Sequence, residues 1–203
     1  MKKHNLSKNA FIDIVNLLNK RYDTSQDIKL RDNTPDILVK CGIKNYPMLM
    51  NSKHILDNIL TQEEAKEIGI YKKRTNYHGL GVKQFLEIIN EIDNPVAIYR
   101  WNYNKDKKYG KKDYVILLKI EKYGESIIPI YVETQGNYNN IRMNANKIKT
   151  VFSGNNLKSL YKKREKSHLV TKIYEKQKTN VATTLNTAVT GNSFNEINIS
   201  QEK

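Results

Sequence analysis

The sequence is poor in the residues that usually stabilise small secreted or metal-binding proteins. Its 203 residues include one cysteine, four prolines and one tryptophan. A single cysteine, Cys41, excludes an intrachain disulfide and a cysteine-rich zinc site. Its place in the apolar run 37–41 predicts a small buried side chain rather than a nucleophile.

Long apolar segments are also missing. A transmembrane helix needs about 20 consecutive apolar residues, and no stretch of this chain comes close. The basic start, residues 1–5, is followed by a segment that Asp13 and Asn16 interrupt, unlike the apolar core of a secretory signal. We therefore expect no membrane partner and a location in the cytoplasm.

Acidic residues are scarce relative to basic ones. The chain has 21 Asp and Glu against 35 Lys and Arg, a formal net charge of +14, and 13 tyrosines. Lysine and arginine gain affinity for phosphate by releasing condensed counterions, and tyrosine rings offer planes on which unpaired bases stack. This composition predicts a nucleic-acid partner. The alternative interpretation of the basic composition is that the Lys, Asn and Ile content merely reflects the codons of an AT-rich genome.

The chain lacks the common signatures of cofactor and metal sites. It has no histidine pair at helical spacing, no tight cluster of Asp and Glu, and no phosphate-binding glycine loop. We expect no cofactor and no metal. Of the four histidines, His78 has the most suggestive context, between basic residues and Gly79 and Gly81, just before a helix. We interpret His54 as a capping or surface residue and His168 as the rival of His78.

Several basic clusters and one tyrosine are candidates for contact with a sugar-phosphate backbone. Each cluster alone is typical of a solvated surface, so the prediction depends on whether the fold brings them together. The candidates are Lys72, Lys73, Arg74, Arg100, Tyr131, Lys149, Lys162, Lys163 and Arg164.

Hydrophobic periodicity predicts helices first and strands afterwards. Thr61 and Glu64 form the pattern of a capping box, which predicts a helix start at Thr61. The predicted helices cover residues 7–20, 52–60, 61–68, 82–92 and 155–165, and the segment 36–42 is either strand or helix. The predicted strands cover residues 96–101, 114–121, 127–134, 148–153 and 169–174, with a charged hairpin tip at 103–112.

The sum is an α+β fold in which N-terminal helices precede an antiparallel sheet of about four strands. Residues 1–35 are predicted as a helix and polar linker, residues 36–178 as the α+β domain, and residues 179–203 as a partly disordered polar tail.

The order of short motifs resembles a known group of toxin domains. These motifs run from Leu38–Ile43 through Tyr77–Leu80, Asp93–Tyr99 and Ile127–Ile130 to Asn146–Phe152. The order is similar to that in phage and mobile-element toxin domains, namely the C-terminal domain of MuF-type phage head proteins and the phage relatives of the barnase, EndoU, colicin and RelE ribonucleases. The resemblance covers roughly residues 36–153.

The resemblance implies a barnase/EndoU/colicin/RelE-like fold and metal-independent endoribonuclease activity on RNA, with tRNA a candidate target. His78 matches the loop histidine of the group, and Thr150 matches the serine or threonine of its later strand. We expect His78 to act as general acid or base and His168 to act as a second proton-transfer group. We expect Lys147 to stabilise the charge on the phosphate and Thr150 to donate a hydrogen bond to it.

Two alternatives remain open at the level of the sequence. A non-catalytic nucleic-acid- or protein-binding phage factor, such as an inhibitor of host defence, would use the same basic surface without His78. The other alternative is a phage structural protein whose charge merely reflects its amino-acid composition, and this protein would need neither a nucleic-acid-binding surface nor His78. For a toxin, a cognate inhibitor or immunity protein is an expected partner.

Overall fold

A computed structural model describes residues 6–19, 26–73, 75–102 and 113–176. Within these ranges the chain forms six α-helices, one 3₁₀ turn and eight strands. The helices are α1 (Ala10–Asn19), α2 (Asp36–Lys40), α3 (Ser52–Ile59), α4 (Gln62–Glu67), α5 (Gly81–Asn90) and α6 (Leu157–Lys166), with the 3₁₀ turn at Glu91–Asp93. The strands are β1 (Asp27–Arg31), β2 (Met48–Asn51), β3 (Ala97–Trp101), β4 (Tyr114–Ile120), β5 (Gly124–Tyr138), β6 (Ile141–Ile148), β7 (Phe152–Gly154) and β8 (Val170–Glu175).

All eight strands belong to one mixed sheet with the order β1-β2-β6-β5-β4-β3-β8, and β7 pairs with β5. Strands β2 and β6 are parallel, whereas the other pairs are antiparallel. The α+β class is confirmed in outline, but the predicted antiparallel sheet of about four strands is wrong. The sheet has eight strands and is mixed.

The prediction failed first at strand β1, which lies in the segment expected to be a polar linker. Ile28 and Leu30 are buried in the core, but charged residues flank them. Arg31 is nevertheless buried because its guanidinium donates to both carboxylate oxygens of Asp93, at 3.0 and 2.8 Å. Long-range pairing of this kind has no local sequence signal, so the strand was missed.

Strand β6 was missed for a related reason. We expected a loop at 136–140 and a strand at 148–153, whereas β5 and β6 form a long hairpin that turns at Asn139 and Asn140. The polar residue Asn146 lies fully buried in β6, where its side chain donates to the Thr34 hydroxyl (2.8 Å) and accepts from the Glu133 amide (3.0 Å). Buried polar groups are tolerated when they are hydrogen-bonded in this way.

Helices cover both faces of the sheet. Along β4 the buried side chains alternate, with Ile116 and Leu118 facing the larger core and Val115 and Leu117 facing the smaller one. Helices α1, α3 and α5 pack in the larger core and α6 packs in the smaller one. The sheet therefore forms the middle of three layers.

Several local predictions are confirmed. Thr61 and Glu64 form the capping box at the start of α4, with both reciprocal hydrogen bonds present. In the described part of the chain, every helix is too short or too polar to cross a bilayer. The predicted hairpin tip at 103–112 and the tail from residue 179 lie outside the described residues.

Candidate active site

The candidate site lies where the parallel strands β2 and β6 end. Met50 pairs with Ile148, and beyond this register β2 continues directly into α3 while β6 continues into Lys149. The Asn51 side chain caps α3 by accepting from the Lys53 amide at 3.1 Å. The carboxyl ends of parallel strands, next to a helix N-terminus, are a common place for ligand sites in α/β sheets.

A histidine and a lysine are in direct contact at this point. The Lys149 Nζ lies 2.8 Å from the His54 Nε2, and the Asp57 carboxylate lies 3.8 Å from the His54 Nδ1. Because an ammonium group can only donate, Nε2 must accept, and the ring proton then sits on Nδ1, on the side of Asp57. The Asp57 carboxylate lies near this proton at a distance too long for a direct hydrogen bond, and Lys149 is held against the basic nitrogen.

The environment of Lys149 lowers its pKa below the usual value for lysine. Partial desolvation is the largest cause, the charges of Lys53 and Lys147 add to it, and Asp57 opposes it. The ammonium groups of Lys53 and Lys147 thus add their charge to that of Lys149, although the Asp27 carboxylate 2.8 Å from Lys147 offsets part of it. Such a concentration of positive charge attracts an anion, and a phosphate bound there would relieve the repulsion.

The loop that carries His78 is fastened to α3. The His78 amide donates to the Asp57 carbonyl at 3.0 Å, and the Gly79 amide donates to the Leu60 carbonyl at 2.9 Å. Gly79 has a φ of +61°, and a Cβ there would lie 2.9 Å from the Thr61 Cγ2. Glycine is therefore required for the loop to approach the helix this closely.

The His78 ring is half-buried and contacts the edge of Phe152, with 5.7 Å between ring centroids. Burial lowers the pKa of His78 below its ordinary value, with Asp57 acting in the opposite direction. The imidazole is therefore largely neutral near pH 7 and can accept a proton.

Asn58 joins α3 to the chain that follows β6. Its side-chain oxygen accepts from the Val151 amide at 2.8 Å and from the Thr150 hydroxyl at 3.2 Å, while its amide donates to the His54 carbonyl at 2.5 Å. Asn58 is 1% exposed. The buried amide thus fixes Lys149 and Thr150 relative to the helix that carries His54.

We call the set His54, Asp57, His78 and Lys149 the His–Lys cluster. Of the predicted catalytic residues, His78 belongs to it and Thr150 borders it, although the Thr150 hydroxyl proton is directed at Asn58. Lys147 lies nearby on β6, but its ammonium pairs with the buried Asp27 carboxylate at 2.8 Å.

His168 is not brought to the cluster. It follows α6 with a φ of +55°, and its carbonyl accepts from the Asn102 side chain at 2.9 Å. His168 directly precedes β8 in the chain, and strands β5, β4 and β3 lie between β8 and β6. At about 4.8 Å per strand, the separation is roughly 20 Å.

The predicted nucleic-acid contacts divide between the two ends of the sheet. Lys72 and Lys73 are exposed on the loop beside α3, and the half-buried Tyr131 pairs with Lys147. Arg100, Lys162 and Lys163 are exposed on the side of α6 and β3, whereas Arg164 lies over the Trp101 ring. Arg74 lies outside the described residues.

Sequence reasoning missed His54, Asp57 and Asn58. His54 and Asp57 are three residues apart and His54 and Asn58 four apart, so all three share one helix face. That spacing was visible in the sequence, but it indicates function only once Lys149 and His78 are seen to approach the same face.

Comparison of this chain with protein-family models, curated proteins and solved structures gives no match. Within the described residues, no group of three or more His, Cys, Asp or Glu side chains is placed to hold a metal ion.

Proposed function

We propose that this protein is an endoribonuclease that cleaves RNA through attack of the 2′-hydroxyl, without a metal ion. The observation that carries the proposal is the contact of Lys149 with His54, beside a second histidine, His78, whose backbone amide donates to the Asp57 carbonyl. Two imidazoles and an ammonium group are the groups that this reaction needs: a base, an acid and a cation for the developing phosphate charge.

The reaction can be written for these residues. Neutral His78 accepts the proton of the 2′-hydroxyl, whose oxygen then forms a bond to the adjacent phosphorus. Lys149 stabilises the extra charge on the phosphate oxygens. Protonated His54 gives its proton to the departing 5′-oxygen as the phosphorus–oxygen bond breaks. The products are a 2′,3′-cyclic phosphate and a 5′-hydroxyl, and DNA is resistant because it lacks the attacking group.

The contact between Lys149 and His54 in the free protein has a role in this scheme. A phosphate oxygen that binds Lys149 would replace Nε2 as the acceptor of its hydrogen bond. His54 Nε2 is then free to take up the proton that it later donates. Since Lys53 and Lys149 repel a divalent cation and attract phosphate, the charge of the site favours metal-independent cleavage.

The proposal extends to the setting of the protein. We propose a toxin of phage or mobile-element origin that acts on RNA, tRNA included, in the bacterial cytoplasm and has a cognate inhibitor. The resemblance of the motif order to phage toxin domains and the net charge of +14 support this setting.

The test is incubation of the purified protein with total RNA and with tRNA in EDTA. Wild type should cleave and leave cyclic phosphate ends, because no step needs a metal. His78→Ala should lose about 10²–10⁴-fold in rate, the usual contribution of a general base. His168→Ala is the matched control and should cleave like wild type. Equal cleavage by wild type and His78→Ala would refute the assignment.

A non-catalytic RNA-binding factor is the second candidate. Arg100, Lys162 and Lys163 are exposed far from the His–Lys cluster, and a surface of this kind binds phosphates without acid–base chemistry. Intact RNA in the EDTA assay, together with salt-sensitive binding and no growth arrest on expression, would favour this candidate.

A further inference from the structure

A pocket of about 300 Å³ opens directly beside the His–Lys cluster. We call it the tyrosine pocket. One wall comes from α3 and the other from the chain that follows α4. The lining includes Lys53, Leu56 and Asp57 of α3, and Tyr71, Lys72 and Tyr77 of the following chain. The volume is at the small end of the range for ligand pockets, about 300–1,000 Å³, which suits a single planar ring system.

The two tyrosines form a rigid aromatic wall. The Tyr77 hydroxyl donates to the Ile70 carbonyl at 3.2 Å and accepts from the Lys72 amide at 3.0 Å, so this ring is fixed. Tyr71 lies nearly parallel to it, with ring centroids 6.0 Å apart and planes inclined by 26°. Tyr71 is 36% exposed, and the Lys66 ammonium lies 5.2 Å from its ring centroid, so a stacking base would take the place of this mobile side chain over the ring.

The pocket also carries charge of both signs. Lys53 and Lys72 provide cations, and Asp57 provides a carboxylate that can accept from the amino group of a base. Asp57 is also the residue that lies 3.8 Å from His54 and whose carbonyl holds the His78 amide. The pocket and the His–Lys cluster thus share a residue and are adjacent on α3.

We infer that the tyrosine pocket binds an unpaired nucleobase next to the phosphate held at the His–Lys cluster. The inference rests on the proposed function and names its substrate class: single-stranded RNA, in which a base can leave its neighbours and stack on Tyr71. Lys53 is close to both the base position and the phosphate position, since it lines the pocket and its charge lowers the pKa of Lys149. A double-stranded substrate keeps its bases stacked and cannot fill the pocket.

The test is equilibrium binding of a short single-stranded 2′-O-methyl oligonucleotide that contains 2-aminopurine. The methyl group blocks cleavage, and 2-aminopurine fluorescence is quenched when the base stacks. Tyr71→Ala should weaken binding about 5- to 150-fold, the range for loss of one stacked base, and should abolish the quenching. Tyr71→Phe retains the ring and should bind like wild type. Because Tyr71 is exposed, both variants should melt at the wild-type temperature.

The outcomes separate this inference from the proposed function. Wild-type affinity and quenching in Tyr71→Ala would overturn the pocket assignment, as would equal weakening in the Ala and Phe variants. Intact RNA after incubation with wild type would overturn the ribonuclease assignment, and equal cleavage by wild type and His78→Ala would overturn the role of His78, in both cases without changing the oligonucleotide result. If His78→Ala loses cleavage but still quenches 2-aminopurine, both proposals are supported.

Discussion

The two ends of the sheet use the same kinds of residue for different purposes. In the region where β6 ends at α3, Lys149 contacts His54, and its pKa is lowered by desolvation and by the charges of Lys53 and Lys147. At the β8 end, Lys172 lies 2.8 Å from the Glu175 carboxylate and 3.5 Å from that of Glu165, and its pKa is raised. A lysine that is neutralised by carboxylates contributes to surface stability, whereas one held among cations is available for an anionic ligand.

Aromatic residues show the same contrast. Tyr161 of α6 is 1% exposed and packs on Tyr99, with 5.1 Å between centroids, while Arg164 covers it and donates to its hydroxyl at 2.9 Å. Tyr71, beside the His–Lys cluster, is 36% exposed, and the cation over its ring is Lys66 at 5.2 Å. The α6 end is therefore a closed structural core, and the α3 end has open polar and aromatic surface where a ligand can bind.

The largest expected effect is on stability at the α6 end. Tyr161→Ala removes a fully buried ring and should lower the free energy of unfolding by about 3–5 kcal/mol, as for other large aromatic truncations. Leu160→Ala, at a neighbouring site that is 40% exposed, should change it by less than about 0.5 kcal/mol. Urea denaturation measures both. A small loss for Tyr161→Ala would mean that the smaller core is not the closed unit described above.

The next effect is on chemistry at the α3 end. Lys149→Met should slow RNA cleavage about 10²–10³-fold, the usual result of removing one group that stabilises charge in the transition state. Lys172→Met is the matched control and should leave the rate unchanged. Single-turnover cleavage of tRNA gives both rates. A similar loss in the two variants would show that the two lysines do not differ in role.

A third experiment tests whether a buried amide holds the cluster together. Asn58→Ala leaves the Val151 amide and the Thr150 hydroxyl without their acceptor and should destabilise the fold by about 1–3 kcal/mol. The cleavage rate of the molecules that remain folded should also fall, because Asn58 no longer fixes the position of Lys149. Asn144→Ala, on an exposed position of β6, should leave both denaturation and cleavage unchanged. Matching results for the two variants would argue against the bracing role of Asn58.

The pH dependence of cleavage should reflect the two lowered pKa values. His78 must be neutral to accept a proton, so the rate should rise with pH through a pKa below 6.5. Lys149 must be charged, so the rate should fall again through a pKa below 10.5. The guanidinium of Lys149→Arg stays charged at high pH, so any fall in the cleavage rate that is due to loss of the Lys149 charge should disappear. An unchanged pH profile would show that Lys149 does not cause the fall in rate at high pH.

The smallest effect concerns the ion pairs of Lys172. Lys172→Ala should lower the free energy of unfolding by no more than about 1 kcal/mol, and 1 M NaCl should reduce the difference, because exposed pairs are weak and screened. Denaturation at two salt concentrations provides the measurement. A larger and salt-independent loss would place Lys172 within the structural core rather than on its surface.

The elements that could be predicted are those whose signals are local. The capping box of Thr61 and the apolar run of β4 each lie within a few residues, so the sequence is sufficient to predict them. The strands β1 and β6 depend on partners far along the chain, such as Asp93 for Arg31 and Thr34 for Asn146. No local pattern reports such partners, which is why the size and mixed character of the sheet were not predicted.

The sequence by itself determined the charge of the surface, most of the helices, and the loop glycines around His78. Only the tertiary structure decided which basic residues meet. It placed Lys149 against His54 because β2 and β6 run in parallel and end at α3, and it left His168 at the opposite end of the sheet. The physical reason is that proximity between distant segments is set by strand pairing and burial, and neither can be read from the neighbours of a single residue.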